Sequence, residues 1–281
     1  MNLSLPEYSA IQQQVKSALN EDIGSGDVTA RLINDTQSVT AEIICRDNAI
    51  LCGCKWVDEV LLQIDKNMTI QWNVSDGDAI QANSVLCTIK GNAQPILTAE
   101  RTALNFLQTL SATATTTRRY VDAVQKTHCK ILDTRKTIPG LRNAQKYAVR
   151  CGGGSNHRTG LYDMVLIKEN HIHAAGSIRS AVELSKKLNP DIPIEVEVET
   201  LNELEQALDA NVERILLDNM SIDTMKQAVK MAGGKTPLEA SGGIHIDAIL
   251  DVAQSGVNYI SVGALTKNIN AVDLSLRIVS L

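Results

Sequence analysis

The feature that most constrains the fold is an alternation of short apolar segments with helix-length segments over the second half of the chain. Six apolar segments recur: KILDTRK, MVLIKEN, IPIEVEVET, RILLDNM, PLEASGG and NYISVGA. Most are separated by segments of helical spacing, such as IRSAVELSKKL and SIDTMKQAVKMA. This alternation predicts parallel strands joined by right-handed crossovers. Six units leave no room for eight, so we expect a short six-stranded parallel α/β barrel, closed or nearly closed, with a doubly wound open sheet as the alternative.

The first part of the chain has a different pattern of predicted secondary structure. Residues 38–89 read as strands and turns, in the segments VTAEIICRD, AILCG, MTIQWNVSDGDAI and SVLCTIKG. Before them, PEYSAIQQQVKSALNED places Ile11, Val15 and Leu19 at helical spacing. We therefore predict an N-terminal α/β domain over residues 1–111 and a barrel domain over 112–281, with the last residues packing back on the N-terminal domain.

The segment between these two regions has helical spacing, but a Thr-rich run interrupts it. ILTAERTALNFLQTLSATATTTRRYVDAVQKT places Ala103, Leu104 and Leu107 on one helical stripe, with Thr98 as an N-cap. The Thr-rich run that follows has poor helix propensity because branched side chains crowd the preceding turn. We therefore expect two helices with a break near Ser111.

Composition narrows the classes of function. The formal net charge is −5 and only 3% of the residues are aromatic, which argues against a nucleic-acid binder. Six cysteines at positions 45, 52, 54, 87, 129 and 151 form no spaced framework, so reduced thiols in the cytoplasm are expected. Neither a secretion signal nor a membrane span is indicated, since aliphatic stretches such as MVLI last only a few residues.

Residues capable of chemistry stand where the predicted barrel strands end. They are Asp133 with Arg135 and Lys136, then Lys168, Glu197 with Glu199, Asp218, Ser241 with Gly242 and Gly243, and Gly263. Ligands of barrels and open α/β sheets bind at the carboxyl ends of parallel strands. The sequence therefore predicts one site that collects these ends.

The last two strand ends suit a phosphate. SGGI at 241–244 and SVGA at 261–264 are Gly-containing turns from strand to helix. Exposed backbone N–H groups in such turns, together with the following helix N-terminus, can hold a phosphate group. Either turn alone could merely reverse the chain, but two of them after the final strands favour a phosphate site.

Glu197 and Asp218 offer hard oxygen ligands on consecutive strands, which suits one Mg²⁺ that also contacts substrate phosphates. Each carboxylate could instead pair with one of the basic residues between Asp133 and Lys168. Strand alternation sends Glu195, Glu197 and Glu199 to one face. Since they cannot all be buried unpaired, cations or a metal should face them.

From Asp133 to Lys168 the sequence carries seven basic residues and only two acids. Arg135, Arg158 and Lys168 would suit a ligand with two carboxylates, because guanidinium groups bind carboxylates bidentately. Lys168 follows MVLI directly and is expected to be partly buried, whereas Arg142 and Lys146 suit a solvated surface. His171 and His173 are expected to cap or pack rather than to ligate a metal.

These segments resemble the quinolinate phosphoribosyltransferase family. The likeness lies in AERTALNFLQTLSATATTTRRYVDAV, ILDTRKTIPGLRNAQKYAVRCGGGSNHRTGLYDMVLIKENHI, EVEVET, LLDNM, EASGGI and SVGALT, and it extends to EDIGSGDVTA near the N-terminus. The resemblance implies an α/β sandwich followed by a six-stranded α/β barrel, in a homodimer or larger homo-oligomer. It also implies transfer of a phosphoribosyl group from 5-phosphoribosyl-1-diphosphate to quinolinate, with release of diphosphate and CO₂, to give nicotinate mononucleotide for NAD synthesis.

The resemblance also implies roles for individual residues. Arg135, Arg158 and Lys168 would hold the carboxylates of quinolinate with His157 adjoining, and Arg101 would enter the site of the neighbouring subunit. Lys136 would contact the diphosphate, and Glu197 and Asp218 would lie on the ribose and Mg²⁺ side. The implied catalytic residues are Lys136, Lys168, Glu197 and Asp218, and the further substrate-binding positions are Thr134, Ser241, Gly242, Gly243, Val262, Gly263 and Ala264.

Two other functions stay open on the sequence alone. One is a related transferase that uses nicotinate or another acceptor, for which fewer cations would suffice. The other is a phosphate-binding barrel without catalysis, which the intact set of Lys136, Lys168, Glu197 and Asp218 disfavours.

Overall fold

The computed structural model describes residues 3–34 and 37–280. The α-helices and strands in chain order are α1 Tyr8–Ile23, β1 Ser38–Cys45, β2 Ala49–Ile50, α2 Cys54–Ile64, β3 Thr69–Trp72, β4 Ala79–Ile80, β5 Ser84–Asn92, α3 Ala93–Val124, β6 Lys130–Leu132, α4 Arg142–Cys151, β7 Val165–Ile167, α5 Glu169–Ala175, α6 Ile178–Leu188, β8 Ile194–Val198, α7 Leu201–Asp209, β9 Arg214–Asp218, α8 Ile222–Ala232, β10 Leu238–Ser241, α9 Ile249–Gln254, β11 Tyr259–Ser261, α10 Ala264–Lys267 and β12 Leu274–Ser280.

The chain divides into two compact units. One consists of Met1–Arg118, Thr137–Gly153 and Leu265–Leu281, and it contains an antiparallel sheet in the order β12-β1-β5-β3. Strand β1 alternates in burial along its length, so one face of this sheet is packed. Helix α1 buries Ile11, Val15 and Leu19 into the same apolar core, which confirms the predicted helical stripe.

Helix α3 runs unbroken from Ala93 to Val124, so the prediction of two helices with a break near Ser111 is wrong. The Thr-rich run stays helical because packing outweighs its poor propensity: five of the seven residues 111–117 are buried. Its hydroxyls find acceptors in carbonyl oxygens one turn earlier. The Oγ1 atoms of Thr115 and Thr117 lie 2.7 and 2.8 Å from the oxygens of residues 111 and 113. Thr98 is likewise no N-cap, since the helix begins five residues before it, and its hydroxyl donates to Asp27.

The second unit, Arg119–Lys136 and Gly154–Ala264, contains a six-stranded parallel sheet in the order β6-β11-β10-β9-β8-β7. From β8 to β11 each strand lies beside its predecessor in sequence, and β11, the last strand, pairs with β6, the first, as in a barrel. A doubly wound sheet would reverse direction at a switch point, so that alternative is wrong. Among the described residues no ladder joins β6 to β7, and Ser155 forms a single bridge to Leu132 at this gap.

Other sequence expectations concern thiols and membranes. All six cysteines are buried, and none is in a disulfide bond. Within residues 3–34 and 37–280, no helix combines the length and the apolar character needed to cross a bilayer.

Candidate active site

Polar residues at the carboxyl ends of the parallel strands share one face of the sheet. Glu197 is paired in register with Leu216, and Asp218, two residues beyond Leu216, is paired with Ser241. Residues paired across parallel strands point the same way, as do residues two apart along a strand. Glu197, Asp218 and Ser241 therefore project together, and with Lys168 we call them the rim.

Lys168 and Glu197 form an ion pair across the ends of β7 and β8. The backbone N–H of Lys168 donates to Nδ1 of His171, 3.0 Å away, at the start of α5, so the expectation that His171 caps is confirmed. The side chain of Lys168 keeps 46% of its exposure while Lys146 keeps only 3%. The expected order of burial for these two lysines is therefore wrong, because Lys168 follows its strand out of the sheet and Lys146 lies within the buried helix α4.

Arg158 lies in the loop between α4 and β7 and is partly buried. Burial and the neighbouring charge of Arg135 together lower the pKa of the Arg158 guanidinium. Its Nη1 donates to the carbonyl oxygen of Met164 at 3.3 Å. Two guanidinium groups that repel each other in a partly desolvated place form a site that an anion would stabilise.

The loop that carries His157 and Arg158 is fixed to strand β6. The N–H of Ser155 donates to the Ile131 carbonyl at 2.8 Å. The carboxylate of Asp133, which follows β6 and is fully buried, accepts from the backbone N–H of His157 at 2.9 Å and from the Asn156 amide at 2.6 Å. Asp133 therefore sets the position of this loop, in keeping with its prediction as a strand-end residue.

Beneath the rim the same face carries His157, Glu195, Arg214 and Glu239, which we call the buried cluster. Nε2 of His157 lies 2.9 Å from Oε2 of Glu195 and 3.5 Å from Oε2 of Glu239. Arg214 Nη1 lies 3.1 Å from the same Glu239 oxygen, and its guanidinium stacks 4.4 Å from the ring centre of Tyr259. Both glutamates are completely buried.

The buried cluster has unusual electrostatics. Burial and the neighbouring Glu195 carboxylate raise the pKa of Glu239 to about 7, although His157, Ser261 and Arg214 act in the opposite direction. Ligand atoms of His157, Glu195 and Glu239 lie within 4.8 Å of one another, a spacing that a metal ion could use. Because Arg214 already supplies a cation to Glu239, we interpret the buried cluster as charge-paired rather than metal-binding.

The two predicted phosphate turns differ in the space above them. Gly242 has φ +106°, and a Cβ there would lie 2.2 Å from Oδ1 of Asn219, so a side chain is excluded. Gly243 has φ +55° with nothing within 4 Å of its Cβ position. The turn after β10 thus presents backbone to open space, which is what a phosphate cradle requires.

The turn after β11 lies against the residues that follow β6. A Cβ on Gly263 would lie 3.1 Å from Cδ of Lys136 and 3.7 Å from Oγ1 of Thr134. The N–H of Lys136 donates to that Thr134 hydroxyl at 3.0 Å. The predicted positions Thr134, Lys136 and Gly263 are therefore neighbours, and beside Gly263 Val262 is buried and Ala264 is half-buried.

The donor set of Glu197 and Asp218 fits a magnesium ion. Both carboxylates stand on neighbouring strands, and each already meets one nitrogen donor, from Lys168 and from the Asn219 amide. Mg²⁺ is commonly bound through one or two carboxylates together with waters and substrate phosphates. Of the three predicted glutamates, Glu195 belongs to the buried cluster, Glu197 to the rim, and Glu199 is exposed.

Arg101, predicted to act in a neighbouring subunit, lies exposed on α3 in the first unit.

Three residues of this face, Arg214, Glu239 and Tyr259, were not predicted from the sequence. A signal for two of them was present, since Arg214 and Glu239 precede Asp218 and Ser241 by an even number of residues and so share their face.

Two family descriptions match the chain. Quinolinate phosphoribosyl transferase, N-terminal domain, matches residues 27–111, and quinolinate phosphoribosyl transferase, C-terminal domain, matches residues 113–277. Together they cover most of the sequence, including every rim residue and the whole buried cluster.

Individual relatives agree with this result. The chain is 40% identical over 270 residues to a probable carboxylating nicotinate-nucleotide pyrophosphorylase of Bacillus subtilis, covering 94% of this chain and 93% of that protein. It is 38% identical to a decarboxylating quinolinate phosphoribosyltransferase of Nicotiana tabacum, covering 97% and 83%. The solved nicotinate-nucleotide pyrophosphorylase of Francisella tularensis superposes with TM-score 0.96 at 49% identity, covering 99% of both chains.

Proposed function

Because the chain belongs to the quinolinate phosphoribosyltransferase family, we propose that it makes nicotinate mononucleotide at the rim of its barrel. The reaction joins quinolinate to 5-phosphoribosyl-1-diphosphate and releases diphosphate and CO₂, as a step of NAD biosynthesis. The observation that carries this proposal is the approach of Arg135 and Arg158 in a partly buried place, close enough for one charge to lower the pKa of the other. A planar dicarboxylate is the ligand that such a pair accepts best.

The phosphoribosyl substrate has its own set of residues. Ser241, Gly242 and Gly243 with Val262, Gly263 and Ala264 hold the 5-phosphate through backbone N–H groups. The open space above Gly243 supports this assignment. Lys136, packed against Gly263, then lies where it can contact the diphosphate.

The chemistry requires electrostatic stabilisation more than covalent catalysis. Loss of diphosphate leaves positive charge at the anomeric carbon, and the carboxylates of Glu197 and Asp218 stabilise that charge on the ribose side. Lys136 stabilises the leaving diphosphate, while Arg135, Arg158 and Lys168 hold the pyridine nitrogen in line as nucleophile. The nitrogen becomes cationic when the bond forms. When the 2-carboxylate leaves as CO₂, the electron pair of the broken bond stays on carbon 2, where the adjacent cationic nitrogen stabilises it until that carbon takes up a proton from water.

A magnesium ion would be held by Glu197 and Asp218. When bound, it would supply positive charge to the diphosphate of the substrate. The exposure of the rim supports this, since Glu197 remains partly accessible beside Lys168.

Assembly and location complete the proposal. The chain works as a homodimer or larger homo-oligomer in the cytoplasm, with Arg101 of one subunit acting in the site of its neighbour. The exposure of Arg101 supports the shared site, and the absence of a spaced cysteine framework from the sequence supports the location. Inactive Arg101→Ala chains mixed with inactive Lys168→Ala chains should regain part of the activity, and no recovery after demonstrated subunit exchange would contradict a shared site.

The test of the function is an assay of the purified protein with 5-phosphoribosyl-1-diphosphate and Mg²⁺, in which nucleotide and CO₂ are both measured. Quinolinate should give the two products in equal amounts, and chelation of the metal should abolish both. Nicotinate is the matched control, since it lacks the carboxylate that leaves. Nucleotide formed from nicotinate at a similar rate, or no product from quinolinate, would contradict the proposal.

A further inference from the structure

The buried cluster contains a carboxylate for which the reaction has no direct use. Glu195 is completely buried, yet Arg214 pairs with Glu239 and not with it. Neither carboxylate oxygen of Glu195 has a hydrogen bond of good geometry among the described residues, and its contact with a positively polarised group is that of Oε2 with Nε2 of His157, 2.9 Å away. A buried carboxylate with so little compensation is costly to the fold, so its contact with His157 calls for an explanation.

His157 is held in one orientation by contacts on both ring nitrogens. Nδ1 accepts the backbone N–H of Arg158 at 2.7 Å, so that nitrogen carries no proton. The ring proton is therefore on Nε2, which lies 2.9 Å from Glu195. Burial lowers the pKa of His157, but Glu195 and Glu239 outweigh it and raise the pKa above its usual value. The Arg158 amide acts against protonation, because it needs Nδ1 as an acceptor.

We propose that Glu195 is a positioning residue for Arg158. It orients the His157 ring and fixes its tautomer, and Nδ1 of that ring then fixes the Arg158 backbone so that the guanidinium faces the substrate. This inference rests on the proposed function, because it assigns to Arg158 the binding of a quinolinate carboxylate. Glu239 lies farther from the same Nε2, at 3.5 Å, and its carboxylate is paired with Arg214 at 3.1 Å.

A purely electrostatic role for Glu195 has the opposite consequence. Charged groups that surround His157 and Arg158 are Asp133, Arg135, Asp163, Glu195, Glu197, Arg214 and Glu239. The negative charge of Glu195 opposes the binding of a dianion. If charge were its whole contribution, removing it in any way would tighten quinolinate binding.

Two variants separate these roles. Glu195→Gln removes the charge but keeps an oxygen that can accept from Nε2, whereas Glu195→Ala removes both. We expect Glu195→Ala to raise the KM for quinolinate about tenfold or more, and Glu195→Gln to change it about threefold at most, consistent with loss and retention of the polar contact with Nε2 of His157. The KM for 5-phosphoribosyl-1-diphosphate should stay constant in both variants.

Glu59 provides a matched control. It is also a buried glutamate that accepts side-chain hydrogen bonds, from Tyr8 and from Gln63, but it lies on α2 in the other unit. Glu59→Ala should lower the melting temperature and leave both KM values unchanged. Equal changes of both KM values in Glu195→Ala, or a lowered quinolinate KM in both Glu195 variants, would overturn the inference.

A measurement on the wild-type protein keeps the inference testable if Glu195→Ala fails to fold. Nitrogen-15 spectra of the labelled protein, with His157 identified by comparison with His157→Gln, should show its proton on Nε2 and not on Nδ1. A proton on Nδ1 would overturn the positioning role. Failure of the function is distinct from this result, because it would appear as wild-type protein that releases no CO₂ from quinolinate.

Discussion

The rim and the buried cluster lie on the same face of one sheet, two residues apart along β8 and β10, yet their electrostatics differ. Lys168 of the rim keeps 46% of its side-chain exposure, and its ion pair with Glu197 is open to solvent. Glu195 and Glu239 of the buried cluster are fully enclosed. Exposed pairs contribute little to stability, whereas buried charges are costly unless paired.

The difference in burial indicates separate roles for the two regions of the barrel. Rim charges can change partners when a charged substrate arrives, because water already screens the pairs that they form. Charges of the buried cluster cannot move or exchange without a large cost, so they are suited to holding a loop in place. Substitutions in the two regions should therefore affect different measurements, with catalysis more sensitive at the rim and geometry more sensitive below it.

The largest effect is expected at Lys168. Lys168→Ala removes a cation that is within reach of Glu197 and of the proposed substrate carboxylates. We expect kcat/KM for quinolinate to fall about a hundred- to thousandfold, with little change in melting temperature. Lys187→Ala, an exposed lysine on α6, is the control and should leave activity unchanged. A large loss of stability in Lys168→Ala would contradict the proposal that rim charges contribute to catalysis and not to stability.

The next effect is expected at Arg158, which links the two regions. Arg158→Ala removes a charge-assisted hydrogen bond, which corresponds to a loss of about 10- to 150-fold in quinolinate affinity. Affinity for 5-phosphoribosyl-1-diphosphate should remain within about threefold of wild type, since Arg158 is assigned to the acceptor. Arg179→Ala, on exposed surface of α6, is the control. Calorimetric titration with each substrate checks this, and equal loss of both would contradict the assignment.

A smaller effect is expected in the phosphate turn. Gly242→Ala places a Cβ 2.2 Å from Asn219, at a positive φ, and should cost about 1–3 kcal/mol of unfolding free energy. The shifted backbone should also raise the KM for 5-phosphoribosyl-1-diphosphate. Gly233→Ala, after helix α8, has a positive φ with nothing within 4 Å of its Cβ position, so it should cost less, leave that KM unchanged and serve as the control. Equal unfolding free energies in urea and equal KM values for the two variants would contradict the proposed phosphate cradle.

The smallest effect is a dependence of stability on pH that comes from the buried cluster. The pKa of Glu239 is raised from 4.5 to about 7, so between these values the folded state keeps a proton that the unfolded state has lost. Stability from this group must therefore fall as pH rises from about 4.5 to about 7, and stay low above it. Urea unfolding of wild type and of Glu239→Gln should give a free-energy difference that declines over this window. A constant difference would contradict the buried, raised pKa.

The sequence was sufficient to predict the rim. Strand periodicity placed Glu197, Asp218 and Ser241 at strand ends, and the rule for parallel sheets brought those ends together. Strand alternation could also have placed Arg214 and Glu239 on the face of the rim, but it could not predict which charges pair in the buried cluster, because those pairs depend on the register of neighbouring strands. The prediction of a break in helix α3 was wrong for a related reason: helix propensity does not include the tertiary packing that buries most of residues 111–117.

The most direct test of the division between rim and buried cluster is a double-mutant cycle between Glu195 and Arg158. Quinolinate affinity is measured by calorimetry for wild type, Glu195→Ala, Arg158→Ala and the double variant. If Glu195 acts through Arg158, Glu195→Ala should weaken binding in the wild-type background and have no further effect once Arg158 is alanine. Independent losses that add in the double variant would show that Glu195 does not position Arg158.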